Sequence, residues 1–150
     1  MSSTAENLPD NEAALPPLVG MLGFATMVVR PGDTSAAQGV GDLTVVSNAN
    51  LISLLESAAI AALDEHCGTG ISTILNVMKF EAITSAAIGA ELQASAECIM
   101  QEGAEGNEFT FNCEIYEGER LVARALQKRS TVERVTFLAR TAAQKLFESK

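Results

Sequence analysis

NANLISLLESAAIAALDEHC, residues 48–67, is the stretch whose reading decides the fold. Leu51, Leu54, Leu55, Ala58, Ala59 and Ala62 recur at i, i+3, i+4, i+7, i+8 and i+11, the spacing of a core-facing helical stripe. The other side is apolar too, with Ile52, Ile60, Ala61 and Leu63. A helix that is apolar nearly all round is expected to be buried nearly all round. Ser47 and Asn48 are both strong N-cap types, and Gly68-Thr69-Gly70 supplies the stop. Glu56 stands inside this helix. A carboxylate there must be paired, hydrogen-bonded or neutralised. It is either a reactive group or a structural one, held by an arginine or set on a narrow solvated strip with Ser53 and Ser57. A desolvated Glu56 favours the first reading, and an arginine partner favours the second.

Downstream of the helix the period changes from 3.6 to 2. In 90–101, Ala90, Leu92, Ala94, Ala96, Cys98 and Met100 fall on one side, with Glu91, Gln93, Ser95, Glu97 and Gln101 on the other. In 108–117, Phe109, Phe111, Cys113 and Ile115 fall inward. Such alternation marks half-buried antiparallel strands. Ile71 to Glu81 and Leu121 to Val132 complete a set of four, and Glu102–Asn107 and Glu117–Glu119 are Gly-bearing hairpin turns. Upstream, Val19 to Arg30 reads as a first strand, stopped by Pro31-Gly32. Residues 134–148 read as a terminal helix with Phe137, Leu138 and Ala142 inward. Strand, apolar helix, four antiparallel strands and helix make an α+β chain whose sheet curls around the first helix. Residues 1–17, polar and with three prolines, are expected to be a flexible tail, and 18–150 a single domain. The open sheet edges lead us to expect a homodimer.

Composition excludes several function classes. The net charge is −9, which argues against nucleic-acid binding. Eight of the ten Lys and Arg lie in 120–150, so an anionic ligand could still be held there. No apolar run approaches a membrane span of roughly 20 residues. The N-terminus has no basic region followed by an apolar one, as a secretory signal would. Three cysteines without CxxC spacing, and a single histidine, His66, support neither a disulfide framework nor a metal site. We expect a cytoplasmic protein with no cofactor. Gly39 and Gly41 form a GxG without the third glycine of a phosphate-binding loop.

The order of elements, together with VVSNANLISLLESAAIAAL, IGAELQASAECI and EFTFNCEIYEGERLVARALQKRSTV, resembles the hotdog-fold thioesterases. The resemblance is closest to the fluoroacetyl-CoA thioesterase-like family, and it covers about 43–143. It implies a hotdog fold and hydrolysis of acyl-CoA thioesters at sites between two subunits, with a Thr-Glu-His arrangement. Glu56 falls on the family's helix carboxylate. The hydroxyl position falls on Asn48, with Ser47 adjacent. The histidine position falls on Phe80, and no register of that strand supplies a histidine. The family's Thr-His pair in the last strand reads Leu126-Gln127, while Arg129 keeps a basic position. On this resemblance Glu56 is the base or nucleophile and Asn48 an orienting donor. Ser47 lies beside the substrate, and Asn76, Met78 and Phe80 form the acyl wall. Arg129, with Arg124 and Lys128, reaches for CoA phosphates. The rival reading is a non-catalytic hotdog dimer that binds an acyl-CoA-like ligand, which the phenylalanine at position 80 favours. A hydratase needs an Asp and a His that cannot be placed.

Overall fold

A computed structural model describes residues 18–148; the expected tail, 1–17, lies outside the described residues. The elements are β1 (Leu22–Val28), α1 (Asn48–Leu63), β2 (Ile71–Ala82), β3 (Glu91–Glu102), β4 (Glu108–Glu117), β5 (Arg120–Glu133) and α2 (Arg134–Glu148). The five strands form one antiparallel sheet in the order β1-β3-β4-β5-β2. Sequential hairpins join β3, β4 and β5. The connection through α1 carries the chain from one edge of the sheet to the other, so β1 and β2 are its two edges.

Ser47 caps α1, its Oγ accepting from the Asn50 amide at 3.1 Å. The helix ends four residues earlier than the sequence suggests. The Asp64 and His66 amides turn back to the Ala61 and Leu63 carbonyls, which tightens the last turn ahead of Gly68. Leu51, Leu54, Leu55, Ala58, Ala59, Ala62 and Leu63 are buried against the sheet with Leu92, Phe109, Phe111 and Ile115.

The seating is closest on β1. A Cβ placed on Gly23 would stand 2.1 Å from the Ala58 carbonyl oxygen and 2.4 Å from the Ala62 nitrogen. Strand backbone therefore lies directly on helix backbone. That approach needs glycine on one side and alanines on the other.

Three expectations are corrected. First, α1 is not covered all round within one chain. Ser53, Ser57, Ile60 and Ala61 are exposed, because the sheet packs on one side of the helix only. Secondly, Met100 is exposed, because the register of β3 on β4 shifts between Cys98 and Met100. The extra residue, Ile99, reverses the alternation and turns Gln101 toward the core side instead. Thirdly, Phe137, Leu138 and Ala142 do not pack inward: Leu138 is 58% exposed and Ala142 is exposed. The helix α2 leaves the end of β5 and has only that strand as a substantial neighbour.

The backbone contact at Gly23 makes a direct prediction. Gly23→Ala forces β1 off α1 and is expected to cost about 3 kcal/mol or more, at the top of the range for overpacking. Gly32→Ala, with nothing within 4 Å of its Cβ, is expected to leave stability within about 0.5 kcal/mol. Urea denaturation of the two variants beside the native protein checks the difference.

Candidate active site

Inward-facing positions on β5 follow the strand period as Ala123, Ala125, Gln127 and Arg129, all of them buried. The first two are small. The next two place an amide and a guanidinium beneath the middle of α1. Gln127 is 0% exposed, and its Nε2 donates to the Leu55 carbonyl of α1 at 3.1 Å and to Cys113 Sγ at 3.5 Å. Those two bonds turn its Oε1 toward Arg129, whose Nη1 donates to it at 2.9 Å. The same Nη1 donates to Glu56 Oε1 at 2.9 Å. On the far side of the guanidinium, Nε donates to Thr73 Oγ1 at 3.1 Å and Nη2 to the Thr73 carbonyl at 3.4 Å.

The pair is asymmetric. The Arg129 side chain is 4% exposed and that of Glu56 32% exposed. A buried guanidinium needs its hydrogen bonds satisfied and its charge compensated. Thr73, Gln127 and Glu56 do this together. Glu56 Oε2 accepts no hydrogen bond among the described residues. A cleft of about 200 Å³ runs between α1 and β2; of the network only Thr73 lines it, with Ile60, Leu63, Cys67, Ile71 and Arg134 among its walls. A larger hollow of about 520 Å³ lies around Lys79, Glu81, Asn112, Arg124 and Leu126, and Phe80 and Ala125 also line it. It is on the outward face of the sheet, away from α1, and includes the Glu81–Arg124 ion pair at 2.6 Å. We place no chemistry in it.

The other expected site residues are scattered. Asn48 is the first residue of α1 and its side chain is exposed. It precedes Glu56 by eight residues, about 12 Å along the axis, so one chain does not bring the two onto a single carbonyl group. Ser47 is buried and engaged in the cap, donating to Asn50 Oδ1 at 2.8 Å. Asn76 sits where the register of β2 shifts, and it pairs with Ser130 at 3.1 Å on the outward face. Phe80 lies opposite Ala125 on the inward side of β2, partly buried against the core with Met78. Arg129 was expected to reach outward for phosphate. It instead points inward, with its guanidinium enclosed by Thr73, Gln127 and Glu56.

Sequence reasoning met Gln127 only as what stands, with Leu126, at the family's Thr-His pair, gave it no role, and did not name Thr73. A signal for Gln127 was there. Continuing the phase of Ala123 and Ala125 by period 2 lands on two polar residues, Gln127 and Arg129, at core positions. Thr73 could not be found in this way, because nothing local in β2 marks it as the partner of a residue 56 positions on.

An apolar central helix wrapped by a curled five-stranded antiparallel sheet defines a hotdog-fold protein, as solved structures bear out. A crystal structure of a fluoroacetyl-CoA-specific thioesterase point mutant superposes with a TM-score of 0.79 at 15% identity, covering 87% of this chain and 99% of that one. A hypothetical protein of Thermus thermophilus, described as a thioesterase superfamily member, gives 0.79 at 18% identity, covering 91% and 100%. A hot-dog-like protein from Thermanaerovibrio acidaminovorans gives 0.74 at 18% identity, covering 84% and 91%. No curated protein matches the chain in sequence. Residues 29–135 match the fluoroacetyl-CoA-specific thioesterase family, and the chain belongs to that family.

The thiols around the network supply a test of its burial. Burial pushes the Cys113 thiol up from 9.0 to about 11, against the lowering effect of Gln127. Cys98 and Cys67 are also raised, by burial first and then by acidic neighbours. With the thiolate as the reactive form, native protein at pH 8 is expected to react with a disulfide reagent slowly at Cys67 and not at Cys98 or Cys113. Unfolded protein is expected to release three equivalents. The sign for stability follows from the raised value. The Cys113 contribution is complete below pH 9, and it declines from pH 9 to about 11 as the unfolded chain ionises and the folded one does not.

Proposed function

We propose that this protein hydrolyses acyl-CoA thioesters, with Glu56 as the base or nucleophile. What carries the reading is one coincidence. The carboxylate that the resemblance assigns to the chemistry is also the one that a buried arginine holds while about a third of its side chain, 32%, stays open to water. As a base, Glu56 takes a proton from water, and the hydroxide adds to the thioester carbonyl. The tetrahedral intermediate expels the CoA thiolate, which recovers the proton from Glu56. As a nucleophile, Glu56 displaces the thiolate to form an anhydride that water opens. A relative in the same family has been crystallised with fluoroacetate and CoA; its structure gives a TM-score of 0.73 at 16% identity, covering 79% of this chain and 98% of that one. That precedent supports an acyl-CoA as ligand here.

Around this centre, Asn48 orients the ligand from the helix N-terminal end, two turns from Glu56, and Phe80 and Met78 form part of the acyl wall. Two chains pair to complete the site. The unpaired edge of β2 and the exposed Ile60, at 46%, support that pairing. Three free thiols suit a reducing, cytoplasmic setting. No described helix is long and apolar enough to cross a membrane.

Two observations favour the second reading, a dimer that binds acyl-CoA without turnover. Glu56 has an arginine partner, and Phe80 stands where the family's histidine would be. Thiol release from short, branched and aromatic acyl-CoAs decides between the two. We expect turnover by the native protein and a loss of at least about 100-fold in Glu56→Gln, the scale of removing a positioned acid–base group. Absence of turnover, with acyl-CoA still raising Tm, leaves the binding module. Equal turnover by native protein and variant removes Glu56 from the chemistry.

A further inference from the structure

Below the Glu56 carboxylate the chain buries a polar assembly that neither the fold nor a simple ion pair requires. Two features set it apart. Gln127 is an uncharged polar side chain with no exposure, placed on the one core-facing row of β5 that otherwise carries alanines at the level of α1. Both ends of its amide are bonded in a way that permits only one orientation. Nε2 is directed to Leu55 O and Cys113 Sγ, and Oε1 to Arg129 Nη1. The residue before Glu56 on α1 is thus tied to β5 by Gln127, and Glu56 itself by Arg129. A planar guanidinium with four bonds to Thr73, Gln127 and Glu56 has no rotational freedom left.

We infer that Gln127 is a positioning residue: it fixes the plane of the Arg129 guanidinium and the register of α1 on β5, and so sets where the Glu56 carboxylate stands. This rests on the hydrolytic reading for its kinetic consequences, but the positioning itself is a claim about geometry. Replacing Gln127 with an apolar side chain of similar volume keeps the core filled. It removes the tie to Leu55 and one of the two acceptors of Nη1, so the guanidinium and the carboxylate become mobile together. A displacement of about 1 Å is enough to lower a rate by two orders of magnitude.

The test compares Gln127→Met, Arg129→Met and the double variant, with Ile115→Val as a core control remote from the network. We expect kcat in Gln127→Met to fall 10- to 100-fold, by that displacement argument, with KM changed less than about threefold. Ile115→Val is expected to lower Tm without lowering kcat. If Gln127 acts through Arg129, the double variant is no slower than Arg129→Met alone. The second readout is independent of turnover. The Arg129 Nε–H resonance is expected to be resolved and slow to exchange in the native protein, and exchange-broadened in Gln127→Met. If Gln127→Met does not fold, Gln127→Glu serves instead: its carboxylate keeps an acceptor for Arg129 but cannot donate to Leu55 O, and the same losses are expected. An unchanged kcat, full additivity in the double variant or an unchanged Arg129 resonance would each overturn the proposal. If the native protein turns over no acyl-CoA, the hydrolytic reading falls, and the resonance alone still upholds or overturns the positioning role.

Discussion

Everything in this fold follows from seating one helix, α1, whose surface is apolar on nearly every side. Such a helix must bury its Leu51–Leu63 stripe, although Ser53, Ser57, Ile60 and Ala61 on the other side stay exposed in the single chain. The chain meets this with a sheet that curls around it, and the tightest point is Gly23 against Ala58 and Ala62. There the strand and helix backbones are in contact, without side chains between them. That separation sets how deeply α1 sits, and so which residues of β3, β4 and β5 can be large. Phe109, Phe111 and Ile115 fill the space that the alanines of α1 leave on its other flank.

The same seating places the polar exception. On β5 the inward row begins with the small, buried Ala123 and Ala125. Where the row continues as Gln127 and Arg129, longer side chains reach α1 by hydrogen bonds. Burying a guanidinium is costly unless its donors are matched. Here every bond of Arg129 is to a group fixed by something else: Thr73 by the β2 ladder, Gln127 by Leu55 and Cys113, and Glu56 by the helix. The arrangement is compatible with a structural role and with a catalytic one. What distinguishes Glu56 is that it is the charged member of the network with access to water, 32% exposed where Arg129 is 4% exposed.

The phenylalanine at position 80 fits this picture physically. A histidine on the inward side of β2 would stand opposite Ala125, two positions along β5 from Gln127. Phe80 instead packs on the core, and the polar work of that region falls to the last strand. The uncovered apolar surface is the remaining feature of the single chain. Ile60 on α1, Val77 on β2 and Leu138 on α2 are each more than two-fifths exposed.

Local patterns were enough to place the helix, the four strands after it, both hairpins and the carboxylate in the helix, because periodicity and turn chemistry are properties of neighbouring residues. They failed where the outcome depends on a register. The extra residue at Ile99 turned Met100 outward and the shift at Asn76 sent that side chain to the outer face, and no nearby residue announces either. They failed for α2 as well, since an amphipathic pattern says that a face is apolar and not what will cover it. The sequence by itself determined an α+β chain built around α1, with Glu56 as the residue to explain. Only the tertiary structure decided that Arg129 turns inward, and that Thr73 and Gln127 hold it there. Those partners lie 56 and 2 positions away, and a contact between distant strands is set by how the sheet closes on the helix.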